Sequence, residues 1–366
     1  MRTVYRLFLT VLVGLCSFAA SARELPLHLI QLPAGFQISL YASVADARSL
    51  QMTPTGVLFV GTRTAGKVYA LADRDGDGRA EQRYLIAENL VMPNGIAFAN
   101  GSLYIAETHR LLRYDAILSR LANPPAPIVL RNDLPTNSHH GWRYLKVGPD
   151  QKLYLAIGAP CNICNRKGYA QIQRMELDGS NTEVYAYGVR NSVGFDWHPL
   201  TKLMWFSDNG RDYMGDDLPA DELNQAIRAG LHFGYPYCHG ADVMDPEYGK
   251  QQLCKNYIAP ELELGAHVAP LGLRFYTGEQ FPATYREQLF LAEHGSWNRS
   301  RKAGYQIRLI TIAGNRVVDN QVFAHGWLQG QHSWGRPVDL AIAQDGALLV
   351  SDDKAGVIYR IIYSEP

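Results

Sequence analysis

The sequence predicts an all-β chain folded as a six-bladed β-propeller. Three observations predict it. Helical periodicity is weak almost everywhere, short alternating strands bounded by Gly, Pro, Asn and Asp dominate, and one phrase recurs. The phrase is an apolar strand, a turn, and a second strand of the type Leu-aromatic-aliphatic.

The copies run in order along the chain: 50–60 (LQMTPTGVLFV), 95–105 (GIAFANGSLYI), 145–155 (LKVGPDQKLYL), 193–205 (VGFDWHPLTKLMW), 271–291 with a longer turn, and 338–350 (VDLAIAQDGALLV). Several continue into a third strand, as at 67–70, 112–114 and 357–360. Six copies able to supply three or four strands each imply six blades; an array of sandwiches leaves the shared phrase unexplained. The early strand 36–41 (FQISLY) is placed to pair with the last blade and close the ring, leaving no free sheet edge. The longest interval, from Trp205 to Leu289, carries a large insertion, and a short helix is expected near Asp221 to Ala229. Ring closure makes residues 23–366 one propeller domain.

Residues 1–22 read as a signal peptide. Arg2 and Arg6 form a positive start, Leu7 to Phe18 an apolar core, and Ala20-Ser21-Ala22 a cleavage site. The apolar run is about a dozen residues, short of the roughly 20 that a spanning helix needs. The expected location is the bacterial periplasm or the cell exterior. Lysine plus arginine equals aspartate plus glutamate at 35 each, so no global field draws nucleic acid or an anionic membrane. No later stretch is apolar enough to span a bilayer. The expected partner is a small molecule or a specific protein.

Loss of the leader removes Cys16 and leaves Cys161, Cys164, Cys238 and Cys254. An even number in an oxidising compartment reads as two disulfides, most simply Cys161–Cys164 and Cys238–Cys254. Haem attachment needs His where Asn165 stands. A thioredoxin-like motif needs a βαβ context, and a zinc site needs a second close pair.

Several motifs carry possible chemistry. Asn137 to Gly158 sets His139 and His140 directly before a strand–turn–strand unit, and a histidine there can act as a base near neutral pH. The tract 73–78 (DRDGDG) places carboxylates as an EF-hand loop does, with Glu81 at position nine but Tyr84 at position twelve; a solvated turn is favoured over a weak structural calcium site. Arg190-Asn191 precedes the fourth repeat, Asn209-Gly210-Arg211 follows its second strand, Asp221-Glu222-Leu223-Asn224 lies beyond, and Arg336 opens the sixth repeat. In a propeller, loops at one phase of the repeat gather over one end of the channel. His140, Arg190, Gly210 and Arg336 are therefore expected to converge.

These motifs resemble the soluble pyrroloquinoline-quinone (PQQ) dependent sugar dehydrogenases, six-bladed propellers that include the aldose and sorbosone types. The carriers are H-x(7)-GPDxKLY from His140 to Tyr154, Arg190-Asn191, Asn209-Gly210 with DELN at 221–224, GYP at 234–236, and Arg336. GAPCNIC at 158–164 and HGSWNR at 294–299 are similar to the sorbosone-type branch.

The resemblance implies an oxidoreductase that oxidises the anomeric or aldehyde carbon of a sugar to a lactone or acid. His140 matches the base that takes the hydroxyl proton while hydride passes to the quinone. Arg190 matches the group stabilising charge on the quinone carbonyl. Asn191 and His294 fall in cofactor-contacting regions, and Arg336 matches an arginine that pairs with cofactor carboxylates. Gly210 and Arg211 match positions whose backbone carbonyls hold Ca2+, and Asp221 with Glu222 offers a second calcium site. Electrons then pass to a cytochrome or quinone.

Three departures stand out. Ala159 occupies the place of an aspartate that orients the histidine in glucose-oxidising members, so either another carboxylate orients His140 here, with Asp208 a candidate, or the base is tuned differently. Val338 replaces a second arginine, and the usual lysine near the quinone has no clear match, with His294, Arg299 and Lys302 in its region. The alternatives are a calcium-dependent propeller lactonase, using Asp208, Asn209 and Asn191, and a non-catalytic binding propeller.

Overall fold

The fold is seen in a computed structural model that describes residues 25–365; the expected signal peptide lies outside the described residues. Each of the six phrases forms the two innermost strands of a blade; five blades are four-stranded and antiparallel, and blade three adds Leu231–His232 as a fifth strand, parallel to Glu183–Tyr187. These inner pairs are Ala47–Met52 with Val57–Thr62, Gly95–Ala99 with Ser102–Ala106, and Leu145–Val147 with Leu153–Ile157. Blades four to six continue with Phe195–Trp197 and Met204–Asp208, Pro270–Phe275 and Leu289–Glu293, and Pro337–Ile342 and Leu348–Asp352. Consecutive inner strands lie side by side around the channel.

The ring closes as expected. Phe36–Ser43 pairs antiparallel with Val357–Tyr363 and becomes the outer strand of blade six, so the first and last segments share one sheet. Phe36 seals that junction, with its ring edge-to-face on Phe281 at 4.8 Å and Phe323 at 5.0 Å. Burying one such ring contributes about 1.5–3 kcal/mol. The apolar core lies between neighbouring blades, where Tyr276, Phe290, Trp327 and Tyr359 fill the space between blades five and six.

The expected helix near Asp221 to Ala229 is a strand. Ala220–Ala226 is the third strand of blade four, hydrogen-bonded to Met204–Asp208 on one side and Leu262–Ala266 on the other. The segment ADELNQA suits a helix by local propensity, but two waiting strand edges override it.

The inner strands approach so closely that several glycines are required, Gly194 and Gly272 most tightly among them. A Cβ on Gly194 would lie 2.1 Å from the Leu271 carbonyl oxygen, and one on Gly272 would lie 2.1 Å from Asp339 Oδ1. Polar groups then stitch the blades together from inside. Lys146 of blade three pairs with Asp196 of blade four, whose Oδ2 accepts the Phe275 amide of blade five at 3.0 Å. Asp339 of blade six accepts the Leu50 amide of blade one at 2.9 Å. Both disulfides form in the simplest pairing, Cys161–Cys164 and Cys238–Cys254. Among the described residues no helix is long and apolar enough to cross a membrane.

Candidate active site

One repeat position builds the site. The residue directly after the second strand of each blade is Arg63, Glu107, Gly158, Asn209, His294 and Asp353 in turn. Arg63, Asn209 and His294 line a cavity of about 290 Å³ over the channel, and Asp353 pairs with His294 beneath it. The loops leading into the inner strands add His140, Trp142, Arg190, Asn191 and Arg336. The structure therefore brings His140, Arg190, Asn191, Gly210, Asp221, His294 and Arg336 to one wall system.

His140 is buried while His139 beside it is exposed. Its Nδ1 lies 2.9 Å from the Ala159 carbonyl oxygen. A carbonyl only accepts, so Nδ1 carries the proton and Nε2 keeps a free lone pair. Burial, with Arg190 and His139 nearby, holds the imidazole well below its ordinary pKa of 6.5. It is a neutral, oriented base at physiological pH. The backbone around it is crowded: a Cβ on Gly158 would come within 2.6 Å of His140 Cβ.

Asp208 does not orient His140. Its two oxygens accept the backbone amides of Arg190 at 2.7 Å and Asn191 at 2.6 Å, which fixes the loop that carries those residues. The orienting partner is the peptide carbonyl of Ala159, a group every residue possesses, so the side-chain pattern gave no sign of it. Asp208 is not among the residues that line the cavity.

Arg190 is fully braced. Its Nε donates to the Asn162 carbonyl at 2.9 Å and its Nη1 to the Asn209 carbonyl at 3.0 Å. Its Nη2 donates to Asn162 Oδ1 at 2.8 Å and to Asp212 at 3.1 Å. His294 donates Nε2–H to Asp353, which also binds Arg48 at 2.8 Å. Burial lowers His294 to about 4, so it too is neutral.

Arg48, Arg63 and Trp142 are site residues that the motifs did not reveal. The Arg63 guanidinium lies 5.5 Å from the Trp142 ring centre. Among the described residues, neither Arg63 nor Arg336 has a carboxylate within ion-pair distance, and the buried Trp142 Nε1 has no acceptor. Arg336 donates to the carbonyls of His294 and Gly295. Val338, where an arginine was absent, packs with Val193, Leu271 and Trp142 as an apolar floor. The signal for Arg63 was its repeat position, equivalent to Asn209 and His294.

A family model, TrAA12-like, matches residues 30–364. The chain belongs to the TrAA12-like family. This TrAA12-like chain is also 33% identical over 381 residues, 99% of its own length and 98% of the relative's, to an uncharacterized protein of Borreliella burgdorferi. Among solved structures it resembles the holo PQQ domain of pyranose dehydrogenase from Coprinopsis cinerea, at 19% identity and TM-score 0.77, over 91% of this chain and 97% of that one. The calcium structure of the Trichoderma reesei Carbohydrate-Active Enzymes Family AA12 protein matches at 19% and 0.78, over 92% and 97%. PQQ-bound aldose sugar dehydrogenase from Streptomyces coelicolor matches at 21% and 0.64, over 91% and 100%.

The acidic side of the TrAA12-like site differs from expectation in one respect. Asp221 lines the cavity and accepts the amides of Gly210 at 2.7 Å and Ala269 at 2.8 Å. Glu222 is buried away from it, accepting from the Gly240 amide at 2.7 Å and from Asn224 Nδ2 at 2.9 Å. Neighbouring strand residues point to opposite faces, so the two carboxylates do not meet on one ion. Gly210 lines the cavity, whereas the Arg211 side chain turns to Asp245 and Glu247. Carboxylates do converge at Asp73, Asp75 and Glu81, whose oxygens lie within 4.8 Å of one another on a largely exposed hairpin.

Proposed function

We propose that this protein is an exported, PQQ-dependent dehydrogenase that oxidises a sugar at its anomeric or aldehyde carbon. The observation that carries the proposal is a neutral, Nδ1-anchored His140 lining one cavity together with Arg63 and Arg336, guanidinium groups that lack carboxylate partners. The PQQ-bound relatives and the calcium-containing one support the same reading.

The donor set fits a planar tricarboxylic quinone. Arg63 and Arg336 offer cations to its carboxylates, and Trp142 Nε1 offers a hydrogen bond to an acceptor atom. Ala269, Leu271 and Trp142 supply flat apolar wall. Arg190 and Asn191 stand on the His140 side, where charge develops on an acceptor oxygen. The quinone, when bound, supplies a two-electron acceptor for the hydrogen leaving the sugar carbon. Gly210, which lines the cavity, would offer its backbone carbonyl to Ca2+, and the ion would supply Lewis acidity to that acceptor.

His140 Nε2 takes the proton of the sugar hydroxyl, and the Ala159 carbonyl stabilises the resulting imidazolium through Nδ1–H. Trp297 and Tyr213 stand at the mouth, 65% and 72% exposed and edge-to-face at 5.8 Å, as an aromatic surface for a sugar ring. Residues 1–22 direct export, and a cytochrome or quinone receives the electrons.

The test is reconstitution of purified protein with PQQ and Ca2+, followed by dye reduction with a panel of aldoses and ketoaldoses. Quinone-dependent reduction is expected. Lactone hydrolysis with calcium alone overturns the proposal in favour of a lactonase, and absence of quinone binding overturns it in favour of a binding propeller.

A further inference from the structure

The loop Gly158–Cys164 touches both residues that the proposed reaction depends on. Its first half holds His140: Gly158 leaves room for the His140 Cβ and backbone carbonyl, and the Ala159 carbonyl accepts Nδ1–H. Its second half holds Arg190. The Asn162 carbonyl accepts Arg190 Nε–H at 2.9 Å and Asn162 Oδ1 accepts Nη2–H at 2.8 Å. Ala159 also donates its amide to the Arg190 carbonyl at 2.8 Å, so the loop grips both the backbone and the side chain of that arginine.

Asn162 is tied down in its turn. Its Nδ2 donates to the Asp212 carbonyl at 3.0 Å, and its Oδ1 accepts the Asp212 amide at 2.9 Å. The Cys161–Cys164 bond brackets Asn162, and the Cys164 amide donates to the buried Tyr235 hydroxyl at 2.9 Å. Asn162 is not among the residues lining the cavity, so it acts through Arg190.

A disulfide spanning three positions restrains the unfolded chain less than Cys238–Cys254, which spans 16. The consequence of the shorter bond is local. It fixes the few backbone dihedrals that set where the Asn162 carbonyl and amide point.

We propose that the Cys161–Cys164 loop is the positioning device of the site, with Asn162 as the residue that fixes Arg190 in register with His140. The roles of Arg190 and His140 in turnover rest on the proposed function; the positioning itself does not.

The test uses the full mature chain without cofactor and reads hydrogen exchange at arginine Nε–H groups by NMR. Arg48 Nε, bound to Asn94 Oδ1 at 3.1 Å, and Arg336 Nε, bound to the His294 carbonyl at 2.9 Å, serve as internal references. In C161S/C164S, Arg190 Nε–H is expected to lose protection at least tenfold while both references hold, and PQQ affinity is expected to fall at least tenfold. Asn162→Ala, which removes Oδ1 but keeps the carbonyl, moves both readouts the same way by a smaller factor. C238S/C254S lowers the unfolding midpoint and leaves Arg190 protection intact. Unchanged Arg190 protection in both C161S/C164S and N162A overturns the proposal, as does a loss of global stability alone. If C161S/C164S does not fold, N162A decides. If the wild-type protein binds no PQQ, the proposed function falls and the exchange measurement still decides the positioning.

Discussion

His140 donates Nδ1–H to the carbonyl of Ala159 at 2.9 Å, a contact that orients the ring without placing a negative charge beside it. A carboxylate in that position raises an imidazole's pKa; a peptide carbonyl offsets little of the burial and the Arg190 field that lower it. Sugar oxidation should therefore keep its rate as pH falls through 6.5, where an ordinary histidine base loses half its capacity. A pH–rate profile of kcat/KM checks this, and a limb centred at 6.5 or above refutes it.

The same shift has a stability consequence of definite sign. Between the depressed native pKa values of His140 and His294 and their ordinary 6.5, the unfolded chain binds protons that the folded chain does not. Stability from these residues is present above pH 6.5 and lost as pH falls toward about 4, the value for His294. Buried carboxyls oppose this slope over the same range, so the difference is the readout: the urea midpoint of the wild type relative to His294→Gln should fall as pH drops from about 6.5 to about 4.5.

Asp208 and Glu222 act in the opposite direction, over a range that starts in the ordinary carboxylate region and extends to higher pH. They face each other across neighbouring strands of blade four, and burial pushes both carboxyls up toward neutrality, helped by the Asp221 charge at Asp208 and by the Asp208 charge at Glu222. A raised carboxyl contributes stability at low pH that is lost as pH rises through its native pKa. In chelator-treated protein, their contribution should decline from about pH 4.5, just above the ordinary carboxylate range, to about pH 8. Glu222→Gln relieves the repulsion and should flatten the decline; an unchanged slope means that the pair does not share its proton.

Much of this was legible in the sequence because the repeat carries it. All six copies form inner strand pairs, and FQISLY closes the ring, since alternation and turn residues are local signals. The strand at Ala220–Ala226 was not legible because its alternation is masked by Asp221, Glu222, Asn224 and Gln225, all buried by tertiary pairing. Arg48 and Arg63 were illegible as single arginines in the first repeat. Superposing the six phrases by position makes Arg63 visible, because it stands where His294 and Asn209 stand. The Ala159 contact is written in backbone atoms and leaves no mark on residue type.

Arg63 should matter for cofactor binding more than for stability. Its guanidinium lies over Trp142 without a carboxylate partner, so its removal leaves no opposite charge stranded. Arg63→Ala should weaken PQQ at least tenfold, with little change in unfolding midpoint. Arg63→Lys should restore only part of the affinity, because an ammonium lacks the planar fork and stacks poorly. Fluorescence titration with PQQ checks both variants.

Asp196 should show the reverse, a stability effect that does not depend on the cofactor. Its carboxylate joins three blades: it pairs with Lys146 of blade three, sits within blade four, and accepts the Phe275 amide of blade five at 3.0 Å. Asp196→Ala strands the Lys146 ammonium and the Phe275 amide together, a loss of about 3–5 kcal/mol for a broken buried pair. Asp196→Asn keeps an acceptor for the amide but loses the charge, and should fall between the two. Urea denaturation of the cofactor-free protein measures the loss. A change under about 1 kcal/mol in Asp196→Ala would mean that channel water replaces the carboxylate and that the blades are held by their apolar seams alone.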